Sequence, residues 1–176
     1  MSTEAVFQVH LVSGYVAWAL CFRAFVVPWL RSIPRPRAFR VMAMLHSFRF
    51  FGLVFIVPGV VGANLPAQFA TFAAYGDLVT GVLAMLAVAT FRIRALFWVS
   101  VVAFNAVGAA DLIIDYGHAI QFNLPAQAGQ LGAAWAIPVL YVPALMITHV
   151  LAFYWLLRRE PATGLPGVES PAARGT

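Results

Sequence analysis

Residues 73–116 read AAYGDLVTGVLAMLAVATFRIRALFWVSVVAFNAVGAADLIIDY. Two apolar runs flank one short basic break, Arg92-Ile93-Arg94, and the acids Asp77, Asp111 and Asp115 lie towards the far ends. A helix needs about 20 apolar residues to cross a hydrocarbon core of about 30 Å. Both runs, at about 73–91 and 95–116, reach that length. The stretch therefore reads as a helical hairpin across a membrane, its turn held on the cytoplasmic side by two arginines.

The same pattern extends in both directions. Further spans are expected at about 5–30, 39–61 and 132–157. Ile33-Pro34-Arg35-Pro36 breaks the first from the second, because proline cannot donate and disfavours helix at the residue before it. Arginine alternates from turn to turn: Arg31, Arg35, Arg37 and Arg40 follow the first span, Arg92 and Arg94 the third, Arg158 and Arg159 the fifth. The other two loops hold none. The positive-inside rule then places the N-terminus outside and the C-terminus in the cytoplasm. Trp29, Trp98, Tyr154 and Trp155 fall near the cytoplasmic interface, and Tyr75, Tyr116 and Trp135 near the outer one, the levels that amphipathic rings prefer. The expected fold is an all-α, five-helix transmembrane bundle, a single domain over residues 1–159, followed by a disordered cytoplasmic tail over 160–176, rich in Pro, Gly and Ala. The N-terminus lacks a basic leader, so the first helix is expected to be retained.

Composition agrees. The chain is 62% hydrophobic and 10% charged, with a mean hydropathy of +0.87, where a soluble domain carries roughly 25% charged residues. All eleven basic residues are arginine and mostly flank spans, which is a topology signal and not a nucleic-acid surface. The absence of Lys beside abundant Ala, Arg, Gly and Pro suggests a GC-rich bacterial genome. The expected setting is the cell inner (plasma) membrane, crossed several times, with the lipid bilayer as the first partner and a homo-oligomer or membrane partner as candidate assemblies. Cys21 is the only cysteine, which excludes an internal disulfide or a cysteine metal cage.

Asn64-Leu65-Pro66-Ala67-Gln68 recurs as Asn123-Leu124-Pro125-Ala126-Gln127, each copy in an outer loop. Either a hairpin is duplicated, or good turn chemistry is used twice.

Ionisable residues inside spans cost about 2.5–3.5 kcal/mol on insertion scales and so mark function or pairing. Arg49 lies near mid-membrane, too deep to reach an interface comfortably by snorkelling, and needs a carboxylate or carbonyls. Asp77, opening the third span, and Asp111, on a polar stripe with Asn105, Gly108 and Asp115, are the candidates. His46 shares the face of Arg49 at a spacing of three. By depth, His10, Arg49, Asp77 and Asp111 form an outer group, with Asp115 a candidate fifth member, and His46, Asn105, Thr148 and His149 an inner one. The candidate binding core is thus Arg49, Asp77, Asp111, His46, Asn105, His10 and His149; the plainer alternative is that these residues only lock helix register. Asp115 and His118 are expected at a solvated edge. Gly81, Ala84 and Ala87 would allow close helix approach.

Arg49-x-x-Gly52, Leu65-Pro66, Phe69-Ala70, Gly76-Asp77 and the later Gly81 resemble a pattern of uncharacterised small multi-pass bacterial membrane proteins. The resemblance covers about a quarter of the chain and implies no activity, but links Arg49 with Asp77.

Hydrolase, kinase and dinucleotide-binding signatures are absent, as is the two-His, one-Glu zinc protease pattern. Glu4, Glu160 and Glu169 all lie outside the spans. Three readings remain: a small-solute or ion binding or transport module, in which a polar cavity holds a solute against Arg49; a membrane redox protein with His46 and His149 as axial ligands of a b-type haem; and an accessory or structural subunit. Whether any reaction is catalysed stays open at this level.

Overall fold

The computed structural model describes residues 1–158. The expected disordered tail at 160–176 lies outside them. Five helices are long and apolar enough to cross a membrane: α1 (Thr3–Ser32), α2 (Arg35–Ile56), α3 (Ala67–Ala89), α4 (Arg94–Gln121) and α5 (Ile137–Leu157). Among the described residues the fold is all helical, without strands.

The spans differ from the sequence expectation at their ends. Pro66 opens α3 six residues early, so Asp77 sits ten residues past the first residue, Ala67, and not at the span's mouth. Helix α4 continues to Gln121. Asp115 and His118 therefore lie on a helix, and each has a buried atom, Asp115 Oδ1 and His118 Nδ1, without a hydrogen-bond partner among the described residues. The second span stops at Ile56. Residues 132–135, expected to start the fifth, belong instead to a 3-10 segment, Leu124–Trp135.

Each helix from α2 to α5 repeats one layered order. Apolar residues towards the arginine-bearing end form one core, which includes Leu30, Phe39, Met42, Ala84, Phe97, Val101, Phe104 and Ala152. Apolar residues towards the N-terminal end form a second, which includes Phe7, Phe55, Leu65, Phe69, Leu124 and Leu131. Between them lies a buried polar layer: His46, Arg49, Asp77, Thr80, Asn105, Asp111, Thr148 and His149. Lipid cannot satisfy such groups, so all must turn inward.

Small residues make this closure feasible. Helix α3 buries Ala70, Ala73, Ala74, Gly81, Ala84 and Ala87 between α2 and α4. Helix α1 is peripheral: 6% of its most apolar window is buried, against 33% or more in the other four.

The two long loops are knitted together. Gly62 N–H donates to the Gln130 carbonyl at 2.7 Å, and Ala133 N–H to the Val60 carbonyl at 3.3 Å. Gly132 has φ +52° with the Val60 carbonyl against it, so both conformation and space demand glycine. The two Asn-Leu-Pro-Ala-Gln copies build different structures here: the first leads into α3, the second into the 3-10 segment.

Candidate functional site

Helix α2 changes winding at the site. It is α-helical over Arg35–His46 and 3-10 over Ser47–Ile56. A 3-10 helix has three residues per turn, so positions three apart eclipse. Arg49, Gly52 and Phe55 are the buried residues of this segment, one line three apart that continues from buried His46. Ordinary winding would carry that line off the core. Tyr141 donates to the Leu45 carbonyl at 2.7 Å, beside the point where the winding changes.

Arg49 is fully buried and is the hub. Its Nε donates to Asp77 Oδ1 at 2.6 Å and its Nη2 to Asp111 Oδ2 at 2.5 Å. Its Nη1 faces the Gly108 carbonyl at 3.2 Å and His149 Nε2 at 3.4 Å. A guanidinium only donates, so His149 Nε2 accepts and the ring is neutral in this arrangement, with its proton on Nδ1. That Nδ1–H points to Asn105 Oδ1 at 3.0 Å, and the Asn105 amide donates to the Val101 carbonyl at 2.8 Å. The donor and acceptor roles along this chain are mutually consistent. His46 lies against His149, ring centroids 4.2 Å apart, with its Nε2 2.9 Å from Thr148 Oγ1.

Three glycines make room for the charges. A Cβ on Gly52 would strike the Asp77 carboxylate, one on Gly76 the Asp111 carboxylate, and one on Gly108 would meet Thr80, Arg49 Nη1 and His149 Nε2. The cluster occupies space that side chains would otherwise fill.

The structure thus brings together Arg49, Asp77, Asp111, His46, Asn105 and His149. The outer and inner depth groups are one layer, joined at Arg49 and His149. His10 is not part of it: it is exposed on peripheral α1 and accepts from Trp135 Nε1 at 3.2 Å. Depth placed His10 with the outer group, but the weakly buried α1 turns it away from the hub. Thr80 was missed. It is fully buried, its Oγ1 has no partner among the described residues, and its spacing of three from Asp77 puts it on the same helix face. The haem arrangement does not fit. Imidazoles whose centroids are 4.2 Å apart leave no room for a macrocycle between them, and the Nε2 atoms already face Thr148 and Arg49. No cluster of three or more His, Cys, Asp or Glu suited to a metal ion occurs among the described residues.

Next to the hub, towards the N-terminal end, is a cavity of about 160 Å³. Phe7, Leu11, Phe55, Phe69, Leu112, Leu124, Ile137 and Val142 supply apolar walls, and Asp77 and Asp115 the carboxyl groups. Its lining includes Ile120, which is 79% exposed. Arg49 is absent from its lining. On the far side of the polar layer pack the buried side chains of Phe39, Met42, Phe97, Val101 and Phe104.

Comparison with curated proteins found no match, and comparison with solved structures found none either. One family does match, over nearly all the helical region: residues 6–157 fit a domain of unknown function, DUF8737, and the chain belongs to that family.

Proposed function

We propose that this chain is a membrane-embedded binding module for a small organic cation with an apolar body, received in the cavity between Phe7 and Val142. The observation that carries the reading is the cavity's lining: apolar walls, two carboxyl groups and no basic side chain. The charge balance supports it. Asp77, Asp111 and Asp115 share one guanidinium, which already engages Asp77 and Asp111. Among the described residues Asp115 Oδ1 and Asp111 Oδ1 have no hydrogen-bond partner. Neutralising the cluster takes protons or a further cation, and the walls favour a cation that is largely apolar. A solute held directly against Arg49 does not suit this geometry, since four of the five guanidinium donors have acceptors. Size narrows the class. An apolar cavity of about 150 Å³ accommodates benzene, whereas drug-sized ligands occupy roughly 300–1,000 Å³.

Titration calorimetry on the protein in lipid nanodiscs tests this with benzylamine, benzyl alcohol and benzoate. Benzylamine should bind, and Asp115→Asn should weaken it at least about thirtyfold, the scale of losing one partner of a buried charged contact. Because Asp115 has no ion pair among the described residues, that variant should keep the wild-type melting temperature. Equal binding of the three probes, or an unchanged Asp115→Asn variant, would sink the proposal and leave the accessory-subunit reading.

A further inference from the structure

A second cavity, of about 670 Å³, lies at the opposite end of the bundle. Arg35, Arg92 and Arg94 line it together with Phe91, Phe97, Trp98 and Leu156. Three helices and a turn contribute: the start of α2, the turn between α3 and α4 that holds Phe91 and Arg92, the start of α4 and the end of α5. Apolar side chains, a tryptophan and three arginines meet where a bundle of this length would emerge from hydrocarbon into headgroups.

The arginines are arranged against local electrostatics. Helices α2 and α4 begin at this cavity with Arg35 and Arg94. A helix N-terminus carries unsatisfied N–H groups and a partial positive charge, so an arginine there is unfavourable and an anion favourable. Neither helix has an acid in its first turn, and neither has a side-chain cap. Among the described residues both ion pairs belong to Arg49, so none relieves Arg35, Arg92 or Arg94.

The walls are held in place. Arg35 donates through Nη2 to the Trp155 carbonyl and through Nη1 to the Arg158 carbonyl at 3.1 Å, and its buried Nε has no acceptor among the described residues. The Arg40 guanidinium lies 4.6 Å from the Phe91 ring centre. Trp98 packs edge-on against Phe39 and Phe97, each at 5.2 Å. Two helix N-termini, three arginines with no ion pair among the described residues and an apolar floor converge on one volume.

We propose that this cavity binds the phosphate headgroup of an anionic phospholipid, its phosphate between Arg92, Arg94 and the start of α4, and the first part of its acyl chains against Phe97 and Leu156. Basic pockets between transmembrane helices are suited to such headgroups. This site is independent of the cation cavity at the other end.

Native mass spectrometry of the full chain released from detergent, with equal phosphatidylglycerol and phosphatidylcholine added, reads the bound lipid directly. Phosphatidylglycerol should be retained over phosphatidylcholine by at least about tenfold. The Arg92→Ala/Arg94→Ala variant should lose that preference. The Arg31→Ala/Arg37→Ala variant removes the same charge from exposed positions outside the cavity, and should keep it. Equal retention of the two lipids would overturn the proposal, as would an equal loss in both double variants, which would mean a diffuse charge effect. Inorganic phosphate is the third arm: if it displaces phosphatidylglycerol at equal concentration, the occupant is free phosphate and the lipid assignment is wrong. Melting temperatures of both variants are recorded alongside, and should match the wild type because the removed side chains are exposed.

Discussion

Arg49 serves two acids with one charge, and that inequality predicts the cost of removing each member. Replacing Arg49 by Met strands both Asp77 and Asp111 in a buried layer. Replacing either Asp by Asn leaves the guanidinium with its other carboxylate. Breaking a buried pair typically costs about 3–5 kcal/mol. Arg49→Met should therefore cost at least that much, Asp77→Asn and Asp111→Asn each less, and the triple variant less than the sum of the three, by at least about 0.5–3 kcal/mol of coupling. Unfolding midpoints in SDS would measure this; three equal, additive penalties would show that the side chains do not act as a unit. Arg49's need for a carboxylate was legible from depth alone. That both acids meet it was not, because depth along a helix does not fix direction around it, and the 3-10 winding of residues 47–56 sets the direction of Arg49. His10 shows the same limit in reverse: its depth was suitable, its helix peripheral.

At the scale of elements, irregular winding has identifiable partners. Pro143 has no N–H to give the Val139 carbonyl four residues earlier, and the preceding Ile137–Tyr141 stretch winds as a π-helix. Helix α1 comes up against these carbonyls. A Cβ on Gly14 would collide with the Val139 oxygen, and Trp18, one turn later, donates through Nε1 to the Leu140 carbonyl at 2.7 Å. Gly14 and Trp18 thus dock an otherwise peripheral helix onto α5. Gly14→Val should detach it, with a loss of about 1–3 kcal/mol from overpacking. Trp18→Phe, which removes one interhelical hydrogen bond, should cost only about 0.6–1.7 kcal/mol. Thermal unfolding in detergent separates the two, and a Trp18→Phe penalty equal to that of Gly14→Val would refute the docking role of the glycine. The number of helices was readable from run length and prolines. Their irregular turns were not, since apolar runs bounded by lipid carry little periodic signal to show where the winding changes.

At the scale of the molecule, polar and apolar layers stack along the bundle while charge divides between its ends. Arg31, Arg35, Arg37, Arg40, Arg92, Arg94 and Arg158 gather at the end opposite the N-terminus. Glu4 is at the N-terminal end, and the loops there carry no arginine. This asymmetry was visible as soon as the spans were marked, because it depends on which turn a residue occupies and not on packing. It makes orientation the property most directly tied to sequence, and on it depends whether the cation cavity faces the outside and the arginine cavity the cytoplasmic leaflet. Reporter fusions after Arg40 and Arg94 should behave as cytoplasmic, and fusions near Gln68 and Gln127 as external, because positive turns resist translocation. An orientation with the N-terminus inside would require the turns holding Arg31 to Arg40 and Arg92 to Arg94 to cross, while arginine-free loops stayed behind. A cytoplasmic signal at Gln68 would therefore reverse the orientation and turn the cation cavity inward; the internal contacts of Arg49 would remain, but the side from which a solute arrives would change.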